Sequence, residues 1–182
     1  MSYLPIAVLS INLCGFLFDF IFLSKKNSKE RFLKMPLFFQ KLIPFVVVGP
    51  LFISPLIPQN RFNLSNFISL PTGILLCVSG AILGGCALFK FGTIPSVRKK
   101  SNLITTGVYS IVRHPIYFGT LVAVLGWTIL LKSIISILYF PLLFLLYFLS
   151  IIREERILIE EYGDEYIEYK QKVTKRLVPF IL

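Results

Sequence analysis

Histidine is nearly absent from this 182-residue chain, which has one. Acidic residues are scarce, nine against nineteen lysines and arginines, and seven of the nine fall in the last thirty residues. Cysteine occurs three times, at Cys14, Cys77 and Cys86, with no close pair. Structural zinc asks for four ligands at a recognisable spacing, so no metal site is expected and the cysteines read as small apolar residues. Internal repeats and low-complexity tracts are missing. The length and the absence of a second composition block point to a single membrane domain over residues 1–182.

Apolar residues are what the chain has in abundance. They make up 55% of it, and the mean hydropathy is +0.79. A span needs about 20 apolar residues, because the hydrocarbon core is roughly 30 Å thick and a helix rises about 1.5 Å per residue. Five such runs are expected, at about 4–23, 42–57, 67–89, 115–131 and 133–152. The last two are nearly contiguous and predict a tight helical hairpin. Seventeen of the nineteen basic residues fall between runs one and two, between three and four, or after five, leaving only Arg61 and Lys132 on the other side. By the positive-inside rule the N-terminus is outside and the C-terminus cytoplasmic. The expected fold is therefore an all-α, multi-pass integral membrane protein of about five transmembrane helices with a cytoplasmic helical tail. The net charge of +10 fits a surface facing anionic lipid rather than nucleic acid. The first run has no basic flank or small-residue cleavage site and reads as a retained span, not a signal peptide. Residues 24–41, basic with interspersed Phe and Leu, read as an interfacial segment. Gly80 and Gly84 form a GxxxG step that implies close helix packing. Asp19, a carboxylate inside run one, reads either as a structural partner or as a functional group.

The lone histidine sits in LITTGVYSIVRHPIYFG, at 103–119. A residue before proline is pushed out of α geometry, and proline is favoured at the first helical position, so Pro115 is expected to start run four with His114 just outside it. Unpaired N–H groups and the helix dipole gather there beside Arg113, which makes an anion site; the plainer reading is a basic flank that fixes topology. The sequence REERILIEEYGDEYIEYKQKV, 153–173, reads as helix interrupted at Gly163. Its Tyr162, Tyr166, Tyr169 and Val173 recur at helical spacing and read as a packing stripe. Glu154 and Glu155 follow run five immediately and are placed to meet His114 across the hairpin. An anion site and a carboxylate at one lip suit a zwitterionic ligand.

Those two stretches, followed by VPFI, resemble the isoprenylcysteine carboxyl methyltransferase family, part of a wider group that includes membrane phospholipid and thiol methyltransferases. The resemblance covers about 101–181, and the three runs before it match only in hydrophobicity and number. It implies an N-terminal three-span part at 1–95 and a catalytic part at 96–182. It also implies S-adenosyl-L-methionine as cofactor, bound from the cytoplasmic side. Carried over by position, the cofactor residues are Ser101, Asn102, Leu103, Ile104, Tyr109, His114, Pro115, Ile116, Tyr117 and Glu154, with Glu154 preferred to Glu155 as the acidic ligand. Tyr109 and Tyr117 offer ring faces to adenine or sulfonium. Eukaryotic members carry a substrate-facing arginine where this chain has Ser150. Arg153, one turn on, is the replacement and the implied catalytic residue. Lys172 stands where those members often have arginine.

The implied reaction is in-line methyl transfer to a lipophilic or prenylated acceptor entering from the bilayer. Isoprenylcysteine carboxyl O-methylation comes first, with phospholipid N-methylation or thiol S-methylation as alternatives. A carboxylate acceptor is ionised near pH 7 and needs no base, whereas an amine or thiol would look to His114. Two other classes remain open, an NADPH-dependent sterol-type reductase and a non-catalytic membrane protein whose basic loops anchor lipid or partners.

Overall fold

The computed structural model describes residues 3–23, 37–91 and 103–178. Most of the interfacial segment, together with Ser101 and Asn102, lies outside the described residues, as does the side chain of Asp19. The described chain folds into α1 (Leu4–Leu23), α2 (Leu37–Ile53), α3 (Asn66–Phe91), α4 (Pro115–Leu131), α5 (Ile134–Tyr162) and α6 (Asp164–Lys172). Single 3₁₀ turns at Ser54–Leu56 and Gly107–Ser110 extend α2 and precede α4.

The apolar runs become helices because a helix satisfies its own backbone, which is what an apolar solvent demands. Their ends have local causes. Pro115 opens α4, since its missing N–H costs nothing at the first position. Lys132, in left-handed conformation at φ 54°, closes it. The side chain of Ser133 accepts from the Ser136 N–H and caps α5. α5 outruns its apolar run by ten residues, to Tyr162. Apolarity stops at Ile152, but Arg, Glu, Leu and Ile keep the helix going. Gly163, at φ 57° and ψ −129°, then takes a backbone conformation that essentially only glycine tolerates, and the chain turns into α6.

α3 and α4 form the most extensively packed pair. A Cβ on Gly80 would lie 2.6 Å from the Gly119 carbonyl, one on Gly119 would lie 2.6 Å from the Gly84 nitrogen, and one on Gly126 would lie 2.6 Å from the Cys77 nitrogen. The two backbones therefore touch along a glycine stripe, which extends the GxxxG step over several turns. Cys77 belongs to that contact, its thiol 3.5 Å from the Ala123 carbonyl. Cys14 and Cys86 instead face outward. α1 is tied in by the fully buried Asn12, which donates to the Val47 carbonyl of α2 and accepts from the Tyr139 hydroxyl of α5 at 2.6 Å.

Large apolar side chains face outward on α3, among them Phe67, Ile74, Leu75, Ile82 and Phe89. Patches of that extent on a monomer mark contact with a membrane or a partner. Two helices, Asn66–Lys90 and Ile134–Tyr162, are long and apolar enough to cross a membrane, and the other apolar helices are shorter. α4 is held to 17 residues by Pro115 and Lys132, a rise of about 26 Å.

Candidate functional site

The start of α4 and the end of α5 meet at one end of the bundle, as the hairpin requires. His114 is the N-cap of α4, with ψ 61° outside helical geometry, as expected of a residue before proline. Its ring sits against the consecutive glutamates of α5. Nδ1 is 3.8 Å from Glu154 Oε2 and Nε2 is 3.6 Å from Glu155 Oε1.

The two glutamates have different roles. Glu155 is 3% exposed. It receives Arg113 Nε at 2.7 Å, Arg176 Nε at 3.3 Å and Lys170 Nζ at 3.7 Å. Burial alone would raise its carboxyl, but the neighbouring His114 and the Arg113 guanidinium outweigh burial and hold it at about 2. Glu155 is therefore an ionised structural hub. Glu154 is partly open, with a side chain 40% exposed, yet its Oε2 is buried with no hydrogen-bond partner among the described residues. Successive helix positions are turned by about 100°, so one carboxylate faces the ion cluster and the next faces away from it.

Arg113 is not available to an anion. Its Nη1 donates to the carbonyls of Val173 at 2.6 Å and Thr174 at 2.8 Å, in addition to the Glu155 pair. The backbone N–H groups of Arg113 and His114 donate to the Lys175 and Arg176 carbonyls, both at 3.0 Å. The segment after α6 thus straps the start of α4. Tyr169 fastens α6 to the 3₁₀ turn, its hydroxyl donating to the Tyr109 carbonyl at 2.7 Å. Burial drives the Tyr166 and Tyr169 hydroxyls well above the usual phenol range, so both are neutral donors.

Of the carried-over residues, the structure gathers His114, Pro115, Tyr117 and Glu154 at this lip. The Tyr117 ring lies edge-on to His114 at 5.9 Å and to Tyr147 at 5.1 Å, which leads an aromatic path into the core. Ile116 follows Pro115 in the first turn and is half-buried. Tyr109 is buried under α6. Leu103 packs against Tyr166, Tyr169 and Val173, and Ile104 beside it is half-buried. Arg153 lies elsewhere around α5, its guanidinium 5.0 Å from the Phe20 ring of α1. Ser150 is buried one turn before Glu154. Motif reading missed the Arg113–Glu155 pair and the roles of Lys170 and Arg176. The available signal was a charge count, since three cations and one histidine converge where two carboxylates are free to meet them.

The lip is suited to a ligand that carries both a donor and an acceptor. Two buried polar atoms, His114 Nε2 and Glu154 Oε2, lack hydrogen bonds among the described residues, and an unanswered buried polar group costs about 1–3 kcal/mol. The carboxylate oxygen calls for a cationic donor such as an ammonium. The imidazole nitrogen takes either sense of hydrogen bond.

Residues 69–165 match the family model described as "Phospholipid methyltransferase". The chain is 34% identical over 137 residues to a protein of Saccharomyces cerevisiae named "Protein-S-isoprenylcysteine O-methyltransferase", covering 71% of this chain and 57% of that one. It is 33% identical over 130 residues to "Protein-S-isoprenylcysteine O-methyltransferase B" of Arabidopsis thaliana, covering 68% and 63%. A Delta(14)-sterol reductase of Mus musculus is 32% identical over 94 residues, 49% of this chain and 22% of that protein. The chain therefore spans less than two thirds of these relatives. No solved structure matches it.

Proposed function

Because the chain belongs to the phospholipid methyltransferase family, we propose that it transfers a methyl group from S-adenosyl-L-methionine to a lipophilic acceptor at a membrane face. An isoprenylcysteine carboxylate is the first acceptor to test, because relatives over 71% and 68% of the chain bear that activity in their names. One observation carries the reading. His114 Nε2 and Glu154 Oε2 are both buried without a hydrogen-bond partner among the described residues, on side chains that meet at the start of α4, within the stretch that the family model covers.

When bound, the cofactor supplies an electrophilic methyl group on a sulfonium. The chain's own residues bind and orient. Glu154 takes the ammonium of the donor's amino-acid end. His114, at the N-terminal end of α4, faces its carboxylate, where the helix dipole adds to the attraction. Tyr117 offers its ring close by. Leu103, Ile104, Tyr109, Pro115 and Ile116 wall the site and exclude water. Ser101 and Asn102 are proposed on resemblance alone. Arg153 faces the acceptor, where a lipid carboxylate at the membrane surface needs a cation beside it.

The proposed setting is a five-span protein with its N-terminus outside and this lip in the cytoplasm. The segregation of charge supports it. Arg113, Lys170 and Arg176 cluster at the Pro115 end of α4, whereas Arg61 and Lys132 lie at the other. Cysteine-accessibility labelling of the tail in intact cells tests this, and labelling by an impermeant reagent from outside would overturn it.

The functional test is calorimetric titration of the purified protein with S-adenosylhomocysteine, followed by labelled S-adenosylmethionine with a farnesylated cysteine analogue, phosphatidylethanolamine and a small thiol. Binding with methylation of the farnesylated analogue is the expected result. Methylation of only the amine or only the thiol changes the acceptor while keeping the reaction class. The reductase match favours a second reading over part of the chain. NADPH binding without S-adenosylhomocysteine binding would put it first.

A further inference from the structure

The ion cluster leaves a third polar atom unexplained, and it belongs to a residue outside the carried-over set. Tyr166 is 1% exposed, among the most buried side chains in the protein, and its hydroxyl has no hydrogen-bond partner among the described residues. Its neighbour Tyr169 shows what a structural tyrosine looks like in the same helix, since that hydroxyl is bonded to the Tyr109 carbonyl at 2.7 Å. The two rings are 5.8 Å apart, in one cluster with Leu103, Leu158, Ile159 and Tyr162. Buried serine and threonine hydroxyls on a helix can turn back to a carbonyl of their own helix. A tyrosine hydroxyl, at the far end of a rigid ring, cannot reach its own helix backbone, so its partner must come from elsewhere.

The surroundings indicate the kind of partner. The ring's walls are apolar and aromatic, and one of them, Leu103, belongs to the loop that carries part of the proposed donor site, while the hydroxyl lies within electrostatic reach of Glu155, Arg113 and Glu154, whose charges partly offset one another. A neutral phenol gives and takes one hydrogen bond. It matches a neutral, hydroxyl- or amine-bearing heterocyclic group better than an ionised end, which His114 and Glu154 already suit. We propose that Tyr166 is a further residue of the donor site and that its hydroxyl hydrogen-bonds the nucleoside part of the bound adenosyl donor. This rests on the methyltransferase reading above.

The test compares the full chain with Tyr166→Phe and Tyr169→Phe, each purified in the same detergent, by thermal unfolding and by titration with S-adenosylhomocysteine. Phenylalanine keeps the ring and removes only the hydroxyl. Tyr166→Phe should leave the unliganded melting temperature unchanged or raised, because no internal bond is lost, and weaken S-adenosylhomocysteine roughly three- to tenfold. Tyr169→Phe should lower the unliganded melting temperature, which shows that the assay detects a structural hydroxyl. If Tyr166→Phe binds as the parent does, or melts as low as Tyr169→Phe, the hydroxyl has another partner and the inference is overturned. If the parent itself fails to bind S-adenosylhomocysteine, the methyltransferase reading has failed and takes the inference with it.

Discussion

The two ends of α4 are built from similar materials to different purposes. At the Lys132 end, the charged and amide side chains find partners within the fold. Arg61 donates to the Pro55 and Leu131 carbonyls at 2.7 and 2.5 Å, Lys132 to Asn66 at 2.6 Å, and Ser133 to Gln59 at 2.8 Å. What is left over nearby is a pair of neutral helix hydroxyls, Ser69 and Thr128. At the Pro115 end the charges are denser and Glu155 is held on several sides, yet a carboxylate oxygen, an imidazole nitrogen and a phenol remain unanswered. One end is closed; the other is braced around polar atoms that still lack partners among the described residues. A folded chain tolerates such atoms where a ligand answers them, and the brace holds them in place until then.

The largest effect should come from removing the brace. Glu155→Gln leaves Arg113, 7% exposed, without its counter-charge. Breaking a buried pair from one side costs about 3–5 kcal/mol, so denaturant titration should show most of the stability lost. A variant that unfolds alongside the parent would erase the distinction between the two ends. The same carboxyl predicts an acid limit. Its folded value of about 2 lies below the ordinary 4.5, so its contribution is whole above about pH 4.5 and is lost as pH falls toward 2. Melting curves of the parent should decline through that window, and those of Glu155→Gln should lack that component.

Next come the residues that carry those atoms. His114→Ala and Glu154→Gln should each weaken S-adenosylhomocysteine by roughly ten- to a hundredfold, the effect of a charge-assisted hydrogen bond worth about 1.5–3 kcal/mol. The fold should survive, since Arg113, Lys170 and Arg176 still hold Glu155 when His114 is removed. Equal loss of stability in Glu154→Gln and Glu155→Gln would mean that the two carboxylates share one role. A smaller effect is expected at Arg153. Arg153→Ala should raise the KM for a carboxylate acceptor by about tenfold, the value of one exposed-to-buried ion contact of roughly 1.4 kcal/mol, while donor affinity is unchanged. Unaltered acceptor kinetics would remove Arg153 from the site. The smallest belongs to the closed end. Arg61→Ala should cost about 0.5–1.5 kcal/mol in stability, because Arg61 is exposed, with no change in ligand affinity. A binding defect there would show that the two ends are coupled.

Much of this was legible in the sequence for identifiable reasons. α1 and α4 fall where the apolar runs place them, and Pro115 marks a helix start to the residue. The helix at 153–162 and its break at Gly163 were legible as well, but not that it continues the apolar run as one unbroken helix, because hydropathy reports the solvent and not the helix. His114 and Glu154 could be picked out as a motif pair. That Glu155 faces the cations depends on a rotation of one residue around α5, which no local pattern fixes. Asn12 was invisible as well, since an asparagine inside an apolar run becomes informative only once Val47 and Tyr139 are seen beside it. The strap from Val173 to Arg176 is a contact across about sixty residues, and sequence spacing carries no trace of it.

That strap sets a timetable for the newborn protein. Arg113 leaves the ribosome 42 residues ahead of Glu155 and 60 ahead of Val173. At about 5–20 residues per second, the interval to Val173 is roughly three to twelve seconds. During that interval α4 has been translated while its first residues still lack the carboxylate and the carbonyls that will hold them. The lip is thus the last part of the machinery to be assembled. An interruption of translation after α5 ends at Tyr162 but before residue 173 yields a chain with its apolar helices in place and its entrance unfinished.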